Sequence, residues 1–288
     1  MALSIQSNMA SKSIQNQLGR TNNHLSVALE RLGSGLRINS AKDDAAGLQI
    51  ANRLNAQVRG QDAAIYNANN AMSMLQTAEG AFEEMTNIAY RMKELATQAA
   101  NGTNNSSEYT AMNSEFTALR DEMTNIISNT SYGSGTKLLD GTDGKLNASV
   151  DFQIGSSAAE VLSVDISGDL TSLETAMTAT EFAAGFDSGV PADDQADAKT
   201  VMGQVDSVIN AIGAARASLG ASMNRLDHTI NNVTNMKENT EAAAGQLMDA
   251  DFAKETSNMT KQQLLMNSGI SVLSASNSTT QMIGSLLR

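Results

Sequence analysis

Apolar residues recur at threes and fours over most of the chain, and that spacing predicts long amphipathic helices at both ends of it. Near the start, Leu18, Leu25 and Leu32 stand seven apart, with Ala28 and Leu29 between them and Ile5, Met9 and Ile14 upstream. The polar positions of this first segment are Asn, Gln and Ser rather than Lys and Glu. A second pattern runs through Val58, Ile65, Met72, Leu75, Phe82, Met85, Ala89, Met92 and Leu95. Held over several heptads, it predicts a coiled-coil seam. A continuous helix from about Asp44 to Ala100 would extend about 85 Å at 1.5 Å per residue. NGTNNSS, residues 101–107, supplies turn residues and N-caps for a third helix carrying Tyr109, Met112, Phe116, Leu119, Met123 and Ile126.

The middle of the chain changes period. DGTDG, residues 140–144, signals a turn, and Val150, Phe152 and Ile154 then alternate with polar residues, as do Leu162, Val164 and Ile166. A small hairpin is the economical reading. Residues 167–197 are acidic, hold the sole proline, Pro191, and predict a short helix near Thr171–Phe182. Val201, Val205, Val208, Ile212, Ala215, Leu219, Leu226, Ile230 and Val233 then form the longest clean heptad run. A last amphipathic segment carries Leu264, Leu265, Ile270, Val272, Leu273, Met282, Ile283, Leu286 and Leu287.

One stretch interrupts this order. LERLGSGLRINSAKDDAAGLQIANRL, residues 29–54, has helical patterns on both sides of GSG and a polar run. Glycine costs roughly 1 kcal/mol relative to alanine inside a helix, so two of them, Gly33 and Gly35, mark a stop. Asp43 and Asp44 are adjacent, would point about 100° apart on a helix, and so do not form an acid–base pair. They suit the positive end of the helix beginning there.

Composition narrows the function. The aromatic content is 3 %, with no Trp and one Pro in 288 residues, a composition suited to long helices packed on Ala, Leu, Ile and Met. A net charge of −12 argues against nucleic acid and against an anionic membrane surface. With no cysteine there is neither a disulfide framework nor a thiolate metal site. The start shows no signal-peptide pattern, and no apolar run approaches the roughly 20 residues needed to insert across a bilayer. A search for catalysis fails. His24 and His228 stand alone in helical patterns, neither GSG continues into a phosphate or dinucleotide loop, and DGTDGKLN lacks the ligand order of a calcium loop. No cofactor and no enzyme activity are expected. The two ends, small-residue-rich and weakly charged, could pair with each other or act as assembly elements.

Several stretches in order resemble bacterial flagellin. At the N-terminal end they are LERLGSGLRINSAKDDAAGLQIANRL, NANNAMSMLQTAEGAF and RMKELATQAANGT. At the C-terminal end they are LGASMNRLDHTINN, MDADFAKETSNMTKQQLL and the final SLLR. Together they cover roughly residues 1–165 and 200–288, without the variable outer domains of larger members. NSTTQMIGSLL also departs from the family, where many members carry a proline. The resemblance implies a mainly α fold: an elongated antiparallel coiled-coil rod with a small β-hairpin region, its terminal helices forming an inner coiled coil on assembly. The implied segments are an inner helix with connector (1–43), the first part of the rod with the hairpin (44–166), a short variable stretch (167–197), a returning rod helix (198–240) and a second inner helix (241–288).

By the same resemblance the chain self-polymerises into the extracellular flagellar filament. Its assembly residues would be Leu18, Leu25, Leu32, Leu264, Leu265, Val272, Leu273, Ile283, Leu286 and Leu287. Gly33, Gly35, Arg37, Asp43 and Asp44 would form the connector between layers. The ends would be disordered in the monomer and order on polymerising, the entropy offset by burying apolar faces on neighbours. Export would be unfolded, through the flagellar type III apparatus, with a chaperone on residues 248–288. Filament cap and hook-associated proteins are implied partners, and so is Toll-like receptor 5 of vertebrate hosts, at Arg91, Leu95 and Glu115. At Leu119, where some members carry a further contact arginine, this chain has Arg120 beside it. A hook–filament junction protein of the same superfamily and a secreted coiled-coil effector are the alternatives.

Overall fold

The computed structural model describes residues 8–141, 143–186 and 191–286, with the side chains of Glu181, Pro191, Ala192, Thr280 and residues 283–286 outside that description. In order the elements are α1 (Met9–Ser34), α2 (Ala45–Ala99), α3 (Ser106–Asn129), β1 (Ser131–Tyr132), β2 (Thr136–Lys137), β3 (Val150–Gln153), β4 (Val161–Val164), α4 (Ser167–Thr178), α5 (Thr180–Ala184), α6 (Pro191–Met248) and α7 (Phe252–Leu286). The chain divides into two compact units, residues 59–237 and residues 1–58 with 238–288.

The larger unit owes its core to the seams read above. Leu75, Phe82, Met85, Ala89, Met92 and Leu95 of α2 are buried, and they meet Val201, Val205, Val208, Ile212 and Leu219 of α6 in one apolar cluster. Ion pairs Lys93–Asp206 (2.5 Å), Arg216–Glu79 (2.7 Å) and Lys237–Asp62 (2.7 Å) fix α2 and α6 as antiparallel. α3 adds a third layer with Tyr109, Phe116 and Met123, seven apart and all buried. A reciprocal capping box starts α3: Asn105 accepts from the Glu108 amide, and Glu108 accepts from the Asn105 amide. Phe116 packs edge-on against Phe182 and Phe186, with centroids 5.7 and 5.4 Å away. The phenylalanines thereby tie α5 and the residues after it to α3.

β3 and β4 pair antiparallel, with Val150 opposite Val164 and Phe152 opposite Leu162, as the alternation predicts. A second hairpin, with strands of two residues, joins β1 to β2 through Gly133–Ser134–Gly135, and the sequence pattern did not indicate it. Residues 167–186 form α4 and α5 rather than one helix near Thr171–Phe182, because the chain leaves the helix at Ala179, with ψ 137°.

One buried group in this unit lacks partners. Gln61 of α2 is 1 % exposed, and among the described residues neither its Nε2 nor its Oε1 has a hydrogen-bond partner. An orphaned buried amide costs about 1–3 kcal/mol. Gln61→Leu, similar in volume, is therefore expected to raise the unfolding free energy by about 1 kcal/mol, a shift that denaturant titration of the two proteins would read directly.

Candidate assembly interface

The smaller unit is organised around two helix breaks that meet. α1 ends at Gly35, whose left-handed φ of 74° lets its amide donate to the Arg31 carbonyl at 2.9 Å. The chain then runs as a short bridge beside the α6–α7 junction, Leu36 paired with Asp249. The Arg37 amide donates to the Met248 carbonyl (2.6 Å) and the Ala250 amide to the Gly35 carbonyl (2.9 Å). The Arg37 guanidinium adds a bond to the Leu247 carbonyl at 2.6 Å. It thus places positive charge at the C-terminal end of α6, where carbonyls lack helical donors. The two junctions, far apart in sequence, are one structural object.

The connector closes on its own side chains. Asp44 caps α2 by accepting from the Gly47 amide at 2.9 Å. A Cβ on Gly47 would stand 2.5 Å from Asp44 Oδ2 and 2.8 Å from Ile38 Cδ1, so this position has no room for a side chain. Asp43, expected at the helix's positive end with Asp44, instead turns back. Its Oδ2 accepts from the Ser40 hydroxyl (3.0 Å), the Ser40 amide (3.0 Å) and the Asn39 amide (3.2 Å). Gly33 lies inside the last turn of α1. Asp251 mirrors Asp44 by accepting from the Lys254 amide at 3.1 Å, which starts α7.

The Ser40 hydroxyl, followed by the Ser40 amide, holds the Asp43 carboxyl below the usual carboxylate range. Its folded-state value is depressed, so its contribution is complete above the unfolded pKa and is lost as pH falls through the folded one. Titration of Asp43 by NMR should give a midpoint below 3.8, and the Ser40 amide should lose protection only below that pH. In Asp43→Asn that acid-dependent step should be missing.

α1 and α7 pack antiparallel. Asn8 bonds Ser276, Ser11 bonds Asn277 and, at the other end, Arg31 Nη1 meets Glu255 Oε1 at 3.2 Å. The α1 face is Ser11, Ile14, Leu18, Thr21, Leu25, Ala28 and Leu32, alternating threes and fours. Midway, Leu18 packs on Gly269, where a Cβ would stand 2.8 Å from it. This interface is thin. Leu18, Leu25 and Leu32 of α1 and Leu273 of α7 are only half-buried. Leu264 is 64 % exposed, Leu265 46 %, Ile270 54 % and Val272 51 %. At 100° per residue these four side chains fall on both flanks and on the back of α7, as seen from α1. Large apolar side chains therefore stand outside the face that α1 covers. Of the remaining expected assembly residues, Ile283, Leu286 and Leu287 have side chains outside the described residues.

In the larger unit, Arg91 and Glu115 come together across α2 and α3. Arg91 Nε donates to Glu115 Oε1 at 2.8 Å and Nη1 to Glu94 Oε2 at 2.5 Å, all three side chains being substantially exposed. Leu95 is 2 % exposed and belongs to the core, one turn beneath them. Arg120 is engaged with Asp121 and the Ala183 carbonyl. Sequence reasoning missed Gly47, Asp249, Asp251 and the Arg31–Glu255 pair. Only Asp251 left a readable signal, an acidic N-cap just before an apolar-periodic run. Among the described residues no helix is long and apolar enough to cross a membrane.

Comparison with known proteins agrees with this architecture. Residues 5–143 match the model for the bacterial flagellin N-terminal helical region, and residues 202–287 match the one for the C-terminal helical region. The chain is 36 % identical to a flagellin of Halalkalibacterium halodurans, with 99 % of each covered. It is 33 % identical to flagellin A of Vibrio cholerae over 95 % of this chain and 96 % of that one. That alignment runs over 369 positions against 288 residues here, so the relative carries inserted segments that this chain lacks. A putative flagellar hook-associated protein of Vibrio parahaemolyticus shares the fold at a TM-score of 0.57 and 17 % identity, covering 72 % of this chain and all of that one. Matched by family models at both ends and by relatives along nearly its whole length, the chain belongs to the bacterial flagellin family.

Proposed function

We propose that this chain is a structural subunit of the extracellular bacterial flagellar filament, and that α1, α7 and the paired junctions are its main polymerisation surface. The observation that carries the reading is α7: α1 covers one side of it while Leu264, Leu265, Ile270 and Val272 stay exposed on the others. Burying such side chains stabilises by about 1.5–3 kcal/mol each, and other subunits can supply the missing walls. Contacts of this kind are heterologous, so they need not close and can propagate a helical polymer. The junction at residues 35–37 and 247–250 then sets how the terminal pair leaves the smaller unit's helix ends. Catalysis has no part in this reading.

Family resemblance extends the reading to export, to partners and to a host receptor. Export proceeds unfolded through the flagellar type III apparatus, and a chaperone shields residues 248–288, where Phe252, Leu264, Leu265, Ile270, Val272 and Met282 stand exposed. The cap and hook-associated proteins meet the same terminal helices. Toll-like receptor 5 reads the α2–α3 surface at Arg91 and Glu115, while buried Leu95 shapes that surface from beneath.

Electron microscopy of the purified full chain after seeding or salting out, beside a chain lacking residues 1–40 and 250–288, tests the proposal. Long hollow filaments from the full chain alone are expected. Monomers from both would defeat it.

A further inference from the structure

We propose that Asn101 is a site of spontaneous deamidation, converted through a cyclic imide to isoaspartate and aspartate. In this reaction the backbone nitrogen of the following residue attacks the side-chain amide carbon. A C–N bond forms, ammonia leaves with the amide nitrogen, and water then opens the imide at either carbonyl. The step needs a flexible successor with a small side chain, a free backbone nitrogen and an unrestrained amide.

Asn101–Gly102 is the only Asn–Gly pair in the sequence. Both residues are exposed and lie in the α2–α3 turn, past the last helical residue of α2. Glycine has no Cβ to obstruct the approach of its nitrogen. The Gly102 amide has no acceptor and the Asn101 side chain no partner among the hydrogen bonds of the turn, whose closing bond from Asn104 to the Asn101 carbonyl is a long 3.4 Å.

The competing positions are protected by structure. Asp140, before Gly141, pairs with Lys137 at 2.7 Å. Before its own glycine, Asp143 faces a nitrogen occupied by the Gly144 bond to the Asp140 carbonyl at 2.7 Å. The Asn39–Ser40 nitrogen is held by Asp43, and Asn105 is engaged as the N-cap of α3. Asn113, Asn267 and Asn277 sit inside helices, where the following amide belongs to the helical ladder.

Conversion adds a carboxylate at the C-terminal end of α2, the unfavourable end for negative charge, on a chain already at −12. Isoaspartate also inserts a methylene into the turn whose Asn101 carbonyl faces the hydroxyl of buried Tyr109 at 3.5 Å.

The test is peptide mapping with isoaspartate detection on the native full chain, aged in mildly alkaline buffer at physiological temperature. A Gly102→Ala variant and a short peptide spanning residues 97–106 are aged beside it. The expected result is isoaspartate and aspartate at position 101 in the native chain, with isoaspartate in excess, while Asn39, Asn105, Asn113, Asn267 and Asn277 remain amides. Gly102→Ala should slow the reaction severalfold; its new Cβ meets only the end of the flexible Gln195 side chain, at 3.1 Å. An Asn101 that stays intact in the folded chain while the peptide converts would overturn the proposal. So would conversion spread evenly over the Asn–Ser positions.

Discussion

Phe116→Ala should lower the stability of the larger unit by about 4 kcal/mol, the cost expected for deleting a fully buried phenylalanine and leaving a cavity. Phe116 is fully buried, and its ring is the common partner of Phe182 and Phe186. Both edge-on contacts are lost with it, each contributing about 0.5–1.5 kcal/mol beyond area burial. For a unit of this size the midpoint of thermal unfolding should fall by about 10 °C. Phe116→Leu keeps much of the volume and should cost less than half as much. Calorimetry of the three proteins separates these outcomes, and equal loss in both variants would mean that ring geometry rather than volume holds the residues after α5. The loss should concentrate there, since the Phe186 amide is also held by Asn113 Oδ1 at 3.1 Å, and that bond depends on the ring contacts staying closed.

Arg31→Met should weaken the α1–α7 pair by about 3 kcal/mol, near the cost of stranding one member of a buried ion pair. The asymmetry is specific. Glu255 is 6 % exposed, so removing Arg31 leaves its carboxylate, among the described residues, with the long 3.4 Å hydrogen bond from Asn258. Glu255→Gln leaves Arg31, which is partly exposed and can turn to water, and it keeps an acceptor oxygen in place. That variant should cost about 1 kcal/mol. Because few apolar side chains are fully buried in this unit, a loss of 3 kcal/mol should show as filaments that depolymerise at lower temperature and as reduced helical ellipticity in protein held as monomer. The double variant Arg31→Met/Glu255→Gln should recover part of the loss, since the unpaired charge is gone.

The helices were legible because their apolar positions obey one period over many turns. Every seam residue named for α6 from Val201 to Leu226 is buried, and α2 begins and ends within a residue of the span that the pattern suggested. The hairpin of β3 and β4 was legible for the same reason, at period two. What could not be read were contacts between residues far apart in sequence. Nothing in GSGLR points to MDAD, although their backbones exchange the hydrogen bonds that end one helix and begin another. The β1–β2 hairpin was missed because strands of two residues carry no alternation to detect. Gln61 was invisible too. A glutamine at a helical position normally faces water, and here residues 154–161 of the hairpin and α6 come close enough to enclose it. On the α2–α3 surface the sequence placed Arg91, Leu95 and Glu115 on neighbouring helices, but only the packing separates an exposed ion pair from a core leucine.

On the proposed reading, the exposed apolar side chains of α7 hold subunits together rather than stabilise the subunit itself. The most direct measurement is filament formation, by electron microscopy and sedimentation, of Leu264→Ser/Leu265→Ser beside the unaltered chain. Both leucines are exposed in the folded chain, Leu264 at 64 % and Leu265 at 46 %, so the monomer's unfolding transition should move little while filaments fail to form or grow only at much higher concentration. Filaments of normal length and stability from the variant would show that these leucines do not hold subunits together.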